Sequence, residues 1–261
     1  MREFAYETIS KAWASKFLTS QDDSLVLATR PQHSYGTRFI LGEFAIHNRS
    51  GGSVVIGVGG RLPVEMWTAG QIVAAGTFTD DTPDAQDAGA NDFALTTTTN
   101  NDGFGIFSLI PFNLASIIVG TAAAGGSPVW DLAYTLAGGT WSIITNAYVS
   151  PLFTSTGEQL IWFEPPTDWA PAEAGHGTGV PVGSYGLRCR ATTAPSGTAA
   201  LATNIVLGRV LQSTEGVPDN SILTNIGGVE LGLPPQCDAI CAAISTANAQ
   251  NRATISWRYS G

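Results

Sequence analysis

The carboxylates are the residues of this chain best placed to do chemistry, and they form two groups. Glu158, Glu164 and Asp168 lie close together near the middle of the chain. A pair of carboxylates flanking a glycosidic bond can hydrolyse it as acid and base or nucleophile, so these three are the candidates for glycan cleavage. Chance alone often sets carboxylates this near one another. The second group, Asp80, Asp81, Asp84, Asp87, Asp92 and Asp102, falls in DDTPDAQDAGANDFALTTTTNND with no basic residue between them. Closely spaced hard oxygen ligands hold calcium, which makes Asp80, Asp81, Asp84 and Asp87 candidate ligands and calcium the one cofactor raised. The run has neither the sixth-position glycine nor the twelfth-position glutamate of an EF-hand loop. A solvated loop of Asx turns accounts for the same residues.

The other reactive side chains make no constellation. His33, His47 and His176 are widely spread and lack ligand spacing. His47, ending a strand, is expected to be structural; His176, between Gly175 and Gly177, is expected in solvent. Cys189 alternates with Leu187 and Tyr185 on one side of YGLRCRAT and reads as a small core residue. Cys237 and Cys241 would share one face of a short helix in CDAICAAIS, where a bridge between them is awkward and nothing nearby completes a zinc site. Reduced, structural cysteines fit assembly in a cytoplasm. There is no G-x-S-x-G elbow, no H-E-x-x-H and no P-loop. Gly57-Val58-Gly59-Gly60 is followed by Pro63 rather than a helix, so it is no dinucleotide loop. The chain reads as a non-enzyme.

Residues suited to contacts are easier to find. Trp67, Trp162 and Trp169 are candidate stacking faces for a sugar. Trp169 lies in PPTDWAPAEAGHGTGVPVG, a loop too rich in Pro and Gly for regular structure, and would anchor that loop or a subunit contact. Arg188 and Arg190 point away from the core side of their strand, where they could pair with acidic groups of this or another chain. With Trp13 in the N-terminal segment, Trp169, Arg188 and Arg190 are the candidate interaction residues.

The elements that position these residues are strands. FGIFSLIPF, NLASIIVG, PVWDLAYTL, TWSIITNAY and QLIWFEPP are short runs rich in β-branched and aromatic residues, separated by Gly, Pro, Asn and Ser. That is the pattern of antiparallel β-structure. Trp130, Leu132 and Tyr134 alternate with Val129, Asp131 and Ala133, a period of two. Gly138-Gly139 in YTLAGGTWS permits the positive φ angles of a tight hairpin turn. Arg49-Ser50-Gly51-Gly52 is expected to close a hairpin between RFILGEFAIHN and SVVIGVGG, and Pro195-Ser196-Gly197 to link YGLRCRATT and ATNIVLGRVLQ as a strand pair. Together these predict an all-β, antiparallel β-sandwich or jelly-roll-like fold. Residues 1–37 would be an N-terminal arm, 38–212 the sandwich with a split near residue 100, and 213–261 a C-terminal extension containing a short helix.

Only 13% of the 261 residues are charged, about half the usual share, which suits a surface that meets other protein. Lysine occurs only as Lys11 and Lys16. Exposed strand edges are commonly protected by lysine, so here the edges are expected to be covered by neighbouring copies or closed off within the fold. A formal charge of −9 opposes nucleic acid, which needs basic patches. No apolar run approaches the roughly 20 residues of a membrane-spanning helix, and MREFAYETISKAW lacks the apolar block of a secretory signal.

TDDTPDAQDAGANDFAL, NNDGFGI, PFNLASIIVGTAA, LAYTLAGGTWSII, GEQLIWFEPPTDW and VPVGSYGLRCRATTAP, across roughly residues 70 to 212, together resemble a layout found in structural proteins of tailed bacteriophages. The resemblance implies a β-sandwich displayed in many copies on a virion, as a capsid decoration protein or part of the tail. It implies partners that are copies of itself and other virion proteins such as the major capsid protein. No catalytic residue belongs to that pattern. A carbohydrate-binding module for host-surface glycans is the alternative that the tryptophans leave open.

Overall fold

A period of two in the apolar residues becomes antiparallel strands almost throughout. The computed structural model describes residues 13–17, 26–29, 38–89, 92–149, 152–224, 231–232, 237, 239–246 and 252–260. Contacts divide the chain into a terminal unit, Met1–Arg61 with Val210–Gly261, and a central unit, Leu62–Arg209. The boundaries therefore differ from those the sequence suggests, since both chain ends contribute to one unit.

The central unit holds two antiparallel sheets. The larger has the order β11 (Thr140–Ile143), β10 (Val129–Leu136), β14 (Tyr185–Thr193), β8 (Gly103–Ser108), β5 (Trp67–Ile72) and β6 (Phe78–Asp80). The smaller runs β12 (Ala147–Val149), β13 (Gly157–Phe163), β9 (Leu114–Thr121) and β15 (Leu201–Val217), with β7 (Phe93–Ala94) also on β15. Register fixes the faces of the larger sheet: Leu132 lies opposite Cys189, and Cys189 opposite Phe104. That side meets the smaller sheet, because Phe93 of β7 packs edge-on against Phe104 at 6.0 Å. Phe153 joins them, within 6.0 Å of Phe104 and 5.5 Å of Trp130. Cys189 is fully buried there, as its alternation predicts.

β8 is buried along its whole length, so the other side of the larger sheet is covered as well. Phe78 and Trp141, from the two outermost strands, both pack edge-on against Phe107 of β8, at 5.1 and 6.3 Å. The sheet must therefore curl about this side, since six strands at a spacing of about 4.8 Å would otherwise hold those rings far apart. Into the curl folds the Pro- and Gly-rich loop, whose Ala172 and Val180 are buried with Ile72, Phe78 and Phe107. The same loop reaches both margins. Phe78 N–H donates to the Thr178 carbonyl at 2.8 Å, and the His176 ring bonds the Thr140 carbonyl at 2.8 Å. The loop thus covers part of each of these lysine-free edges. The β10–β11 hairpin turns as the sequence predicts, with φ of +84° at Gly138 and +74° at Gly139.

In the terminal unit one sheet has the order β1 (Trp13–Phe17), β19 (Arg252–Ser260), β3 (Arg38–His47) and β16 (Ile222–Thr224), with β17 (Leu231–Gly232) also on β3. A second set joins β4 (Val54–Arg61), β18 (Ala239–Ile244) and β2 (Val26–Thr29). Three expectations change. Within CDAICAAIS the stretch Ala239–Ile244 is a strand, not a helix: β18 pairs on both sides, with β4 and β2, and residues Cys241 to Ile244 are all buried. A short run covered on both faces has no polar alternation to separate it from a helix, and pairing overrides the helix preference of alanine. β3 and β4 do not form a hairpin, because strands from the C-terminal part pair with each instead. Likewise β14 and β15 lie in different sheets of the central unit rather than side by side.

The corner between β3 and β4 is held by Asn48, which is fully buried. Its side-chain amide donates to the Gly52 and Val217 carbonyls at 2.8 and 2.9 Å, and its side-chain oxygen accepts from Ser50 N–H at 2.9 Å. Its backbone exchanges two further bonds with Ser221 and Asn220. An asparagine satisfied this fully is a structural pin.

Candidate functional site

On the curled side of the larger sheet, β14 presents Arg188 and Arg190, alternating with the buried Leu187, Cys189 and Ala191. Arg190 is spoken for: its Nε and Nη2 grip the Asp131 carboxylate of β10 at 3.0 Å in a forked pair. The two residues are directly opposed in register, and the fork fits a carboxylate. Arg188 is different. Its guanidinium carbon lies over the Trp141 ring, 4.7 Å from the centroid, the geometry of a cation–π contact. Its Nε is buried without a hydrogen-bond partner, and among the described residues no carboxylate pairs with it. Burial first, then the charge of Arg190, pulls its pKa down to about 10 against the partial help of Asp131. It stays cationic at neutral pH.

The platform beneath it is rigid. Trp141 Nε1 donates to the His176 carbonyl at 3.1 Å, and the two rings meet edge to face at 5.3 Å. His176 is buried, not exposed to solvent as its glycine neighbours suggest. Its Nδ1 accepts from Glu173 N–H at 2.9 Å while Nε2 faces the Thr140 carbonyl, which assigns the proton to Nε2. The loop glycines make this burial possible by letting the backbone lie flat against the sheet: Gly175 sits against Gly139 too closely to admit side chains between them.

Trp169 is not a surface contact residue. It is buried and central to an aromatic cluster with Phe112, Tyr134, Phe163 and Tyr185, at 5.4 to 6.2 Å. Its Nε1 donates to Thr135 Oγ1 at 3.2 Å. It anchors its own loop between the sheets. Trp67 and Trp162 are also buried, so none of the three proposed stacking rings offers a face to a sugar. Trp13 lies in β1, and its side chain falls outside the described residues, as does His33. His47 ends β3 and accepts from Arg49 Nε at 3.0 Å.

Several of the candidate carboxylates are occupied locally. Glu158 accepts from Ser116 Oγ at 2.6 Å, and Asp168 from the Tyr134 hydroxyl at 2.9 Å. Asp80 accepts from Thr82 N–H, and Asp87 from Gly89 N–H, which are the Asx turns of a polar loop. Asp81 and Asp84 lean on each other around a five-residue helix, α1 (Thr82–Gln86). Burial, and then hydrogen bonding to and charge from Asp84, push the Asp81 carboxyl up from 3.8 to about 6. Among the described residues no group of three or more His, Cys, Asp or Glu is arranged to hold a metal ion.

Of the residues singled out in the sequence, the structure brings Arg188 and Arg190 together with Asp131 and separates them from Trp169. Trp141 and His176 are the members that sequence reasoning missed. Compared with known proteins, the chain matches no family model and no curated sequence.

Proposed function

We propose that this chain is a structural protein of a tailed-bacteriophage virion, a capsid decoration protein that binds and stabilises the head shell alongside copies of itself and the major capsid protein. The observation that carries the reading is how charge is divided. The central unit has twelve acidic residues and three arginines, while the terminal unit has nine acidic and nine basic residues. A unit of no net charge suits seating on other protein, and an acidic unit suits a particle exterior that must shun packaged DNA. The antiparallel sheets and the resemblance of residues 70 to 212 to phage structural proteins support the same reading. The active chemistry is then association, in the virion after assembly in a bacterial cytoplasm.

Mass spectrometry of purified particles tests this directly, with immunogold labelling to place the chain. Many copies on the head are expected. Labelling of the tail would move the protein to the tail or baseplate, and absence from the particle would end the reading.

A further inference from the structure

We infer that the outer end of the Arg188 guanidinium is a receptor for a carboxylate carried on an apolar stem. A half-buried charge without a counter-charge is costly, and Arg188 is one: Arg190 takes the Asp131 carboxylate, and no other acidic group of the described residues pairs with Arg188. Its Nε is sealed off, yet its two terminal amino groups have no acceptor and are not among the buried unpaired atoms, so they reach the surface. Stacking on Trp141, itself fixed by His176 and Phe107, holds the fork in one plane before any ligand arrives. A preorganised, planar fork of N–H donors matches a carboxylate in two parallel bonds.

The surroundings choose among anions. Asp131 stands next to the site in a unit with nine more acidic than basic residues, so a single negative charge is tolerated better than a phosphate dianion. Across the sheet from Arg188, past the fully covered Ala133, Ile143 points to the same side and is 48% exposed. An aliphatic stem behind the carboxylate would rest on it. Glutamate side chains and short fatty acids share this chemistry.

The Nε–H resonance of Arg188 in ¹⁵N-labelled protein reads the site. Butyrate is expected to shift it saturably, acetate to do so more weakly, and chloride at equal ionic strength not to do so. Arg188→Gln removes that reporter, so the indole Nε1–H of Trp141, on which the guanidinium stacks, replaces it: butyrate is expected to shift that resonance in wild type and not in Arg188→Gln. In Ile143→Ser the advantage of butyrate over acetate is expected to disappear. With no in-chain carboxylate to lose and only its stacking on Trp141 removed, Arg188→Gln is expected to melt close to wild type; should it not fold, Arg188→Lys keeps the charge without the fork, and butyrate should then leave the Trp141 indole resonance unmoved. A dilution series without additive identifies the source. A resonance that moves with protein concentration, and is reset by butyrate, places the carboxylate on a second copy; a resonance that does not move with concentration assigns it to another molecule. No saturable shift, a shift that chloride reproduces, or stronger binding of inorganic phosphate than of butyrate would overturn the proposal.

Discussion

At the residue scale the energetic weight sits on a few buried side chains. Trp169 touches four aromatic rings and donates one hydrogen bond. Truncation to alanine should cost about 3–5 kcal/mol in urea unfolding. Trp169→Phe, which keeps most ring contacts and loses the bond to Thr135, should cost about 1–2 kcal/mol. Equal and small losses from both would mean that the ring is not an internal anchor. Asp81 makes a prediction of the opposite sign to the usual carboxylate. Because its folded pKa is raised from 3.8 to about 6, the folded chain holds this proton more tightly than the unfolded chain. Its contribution is therefore most favourable below about pH 4, declines as pH rises through the window up to 6, and is lost above it. Asp81→Asn should then be more stable than wild type at pH 7, with the gap closing towards pH 4. The side chain is partly open to solvent, so the gap should be no more than about 1 kcal/mol. Melts across that range check it.

At the scale of elements the decisive part is the loop that fills the curl of the larger sheet. Its composition is legible as a loop and Trp169 as its anchor, and alternation in YGLRCRAT places Arg188 and Arg190 opposite the core. Local sequence does not carry the curl that lets Phe78 and Trp141 share Phe107, because curvature is set by which strands become neighbours. His176 departs from expectation for that reason: a histidine between glycines looks exposed until the backbone it lies on is itself buried. β18 misleads on local grounds, since alanine and cysteine carry little strand signal until β2 and β4 flank them. The loop's docking can be tested at its glycines. A side chain at Gly177, where φ is +148°, would strike the Gly76 carbonyl oxygen, whereas at Gly183, where φ is +87°, it would meet open space. Gly183→Ala should cost only the left-handed strain, about 1 kcal/mol. Gly177→Ala should cost more than about 2 kcal/mol and shift the fluorescence of the chain as Trp141 loses its cover. Equal costs would show that the loop is not seated against the sheet.

For the whole molecule the charge division matters more than any single pair. Twelve acidic residues and three arginines give the central unit an excess of nine negative charges, and the forked pair of Arg190 with Asp131 at 3.0 Å offsets little of it. Self-repulsion of this kind weakens a compact state and is screened beyond about 8–10 Å at physiological salt. A fold held by surface ion pairs would lose stability as salt rises, since screening weakens attraction. This one should gain it, because repulsion among the carboxylates of the acidic central unit outweighs the attraction between Arg190 and Asp131. Melting in about 0.01 M and then about 0.3 M sodium chloride separates the two, and the expected result is a higher midpoint at high salt. The same screening should promote association between copies, since the acidic units no longer repel while apolar contact is unaffected. Sedimentation over that salt range should therefore show larger species as the midpoint rises. Stability that climbs with salt while the chain stays monomeric at every concentration would separate the electrostatics from assembly, and would remove the physical basis for many copies packed on a shell.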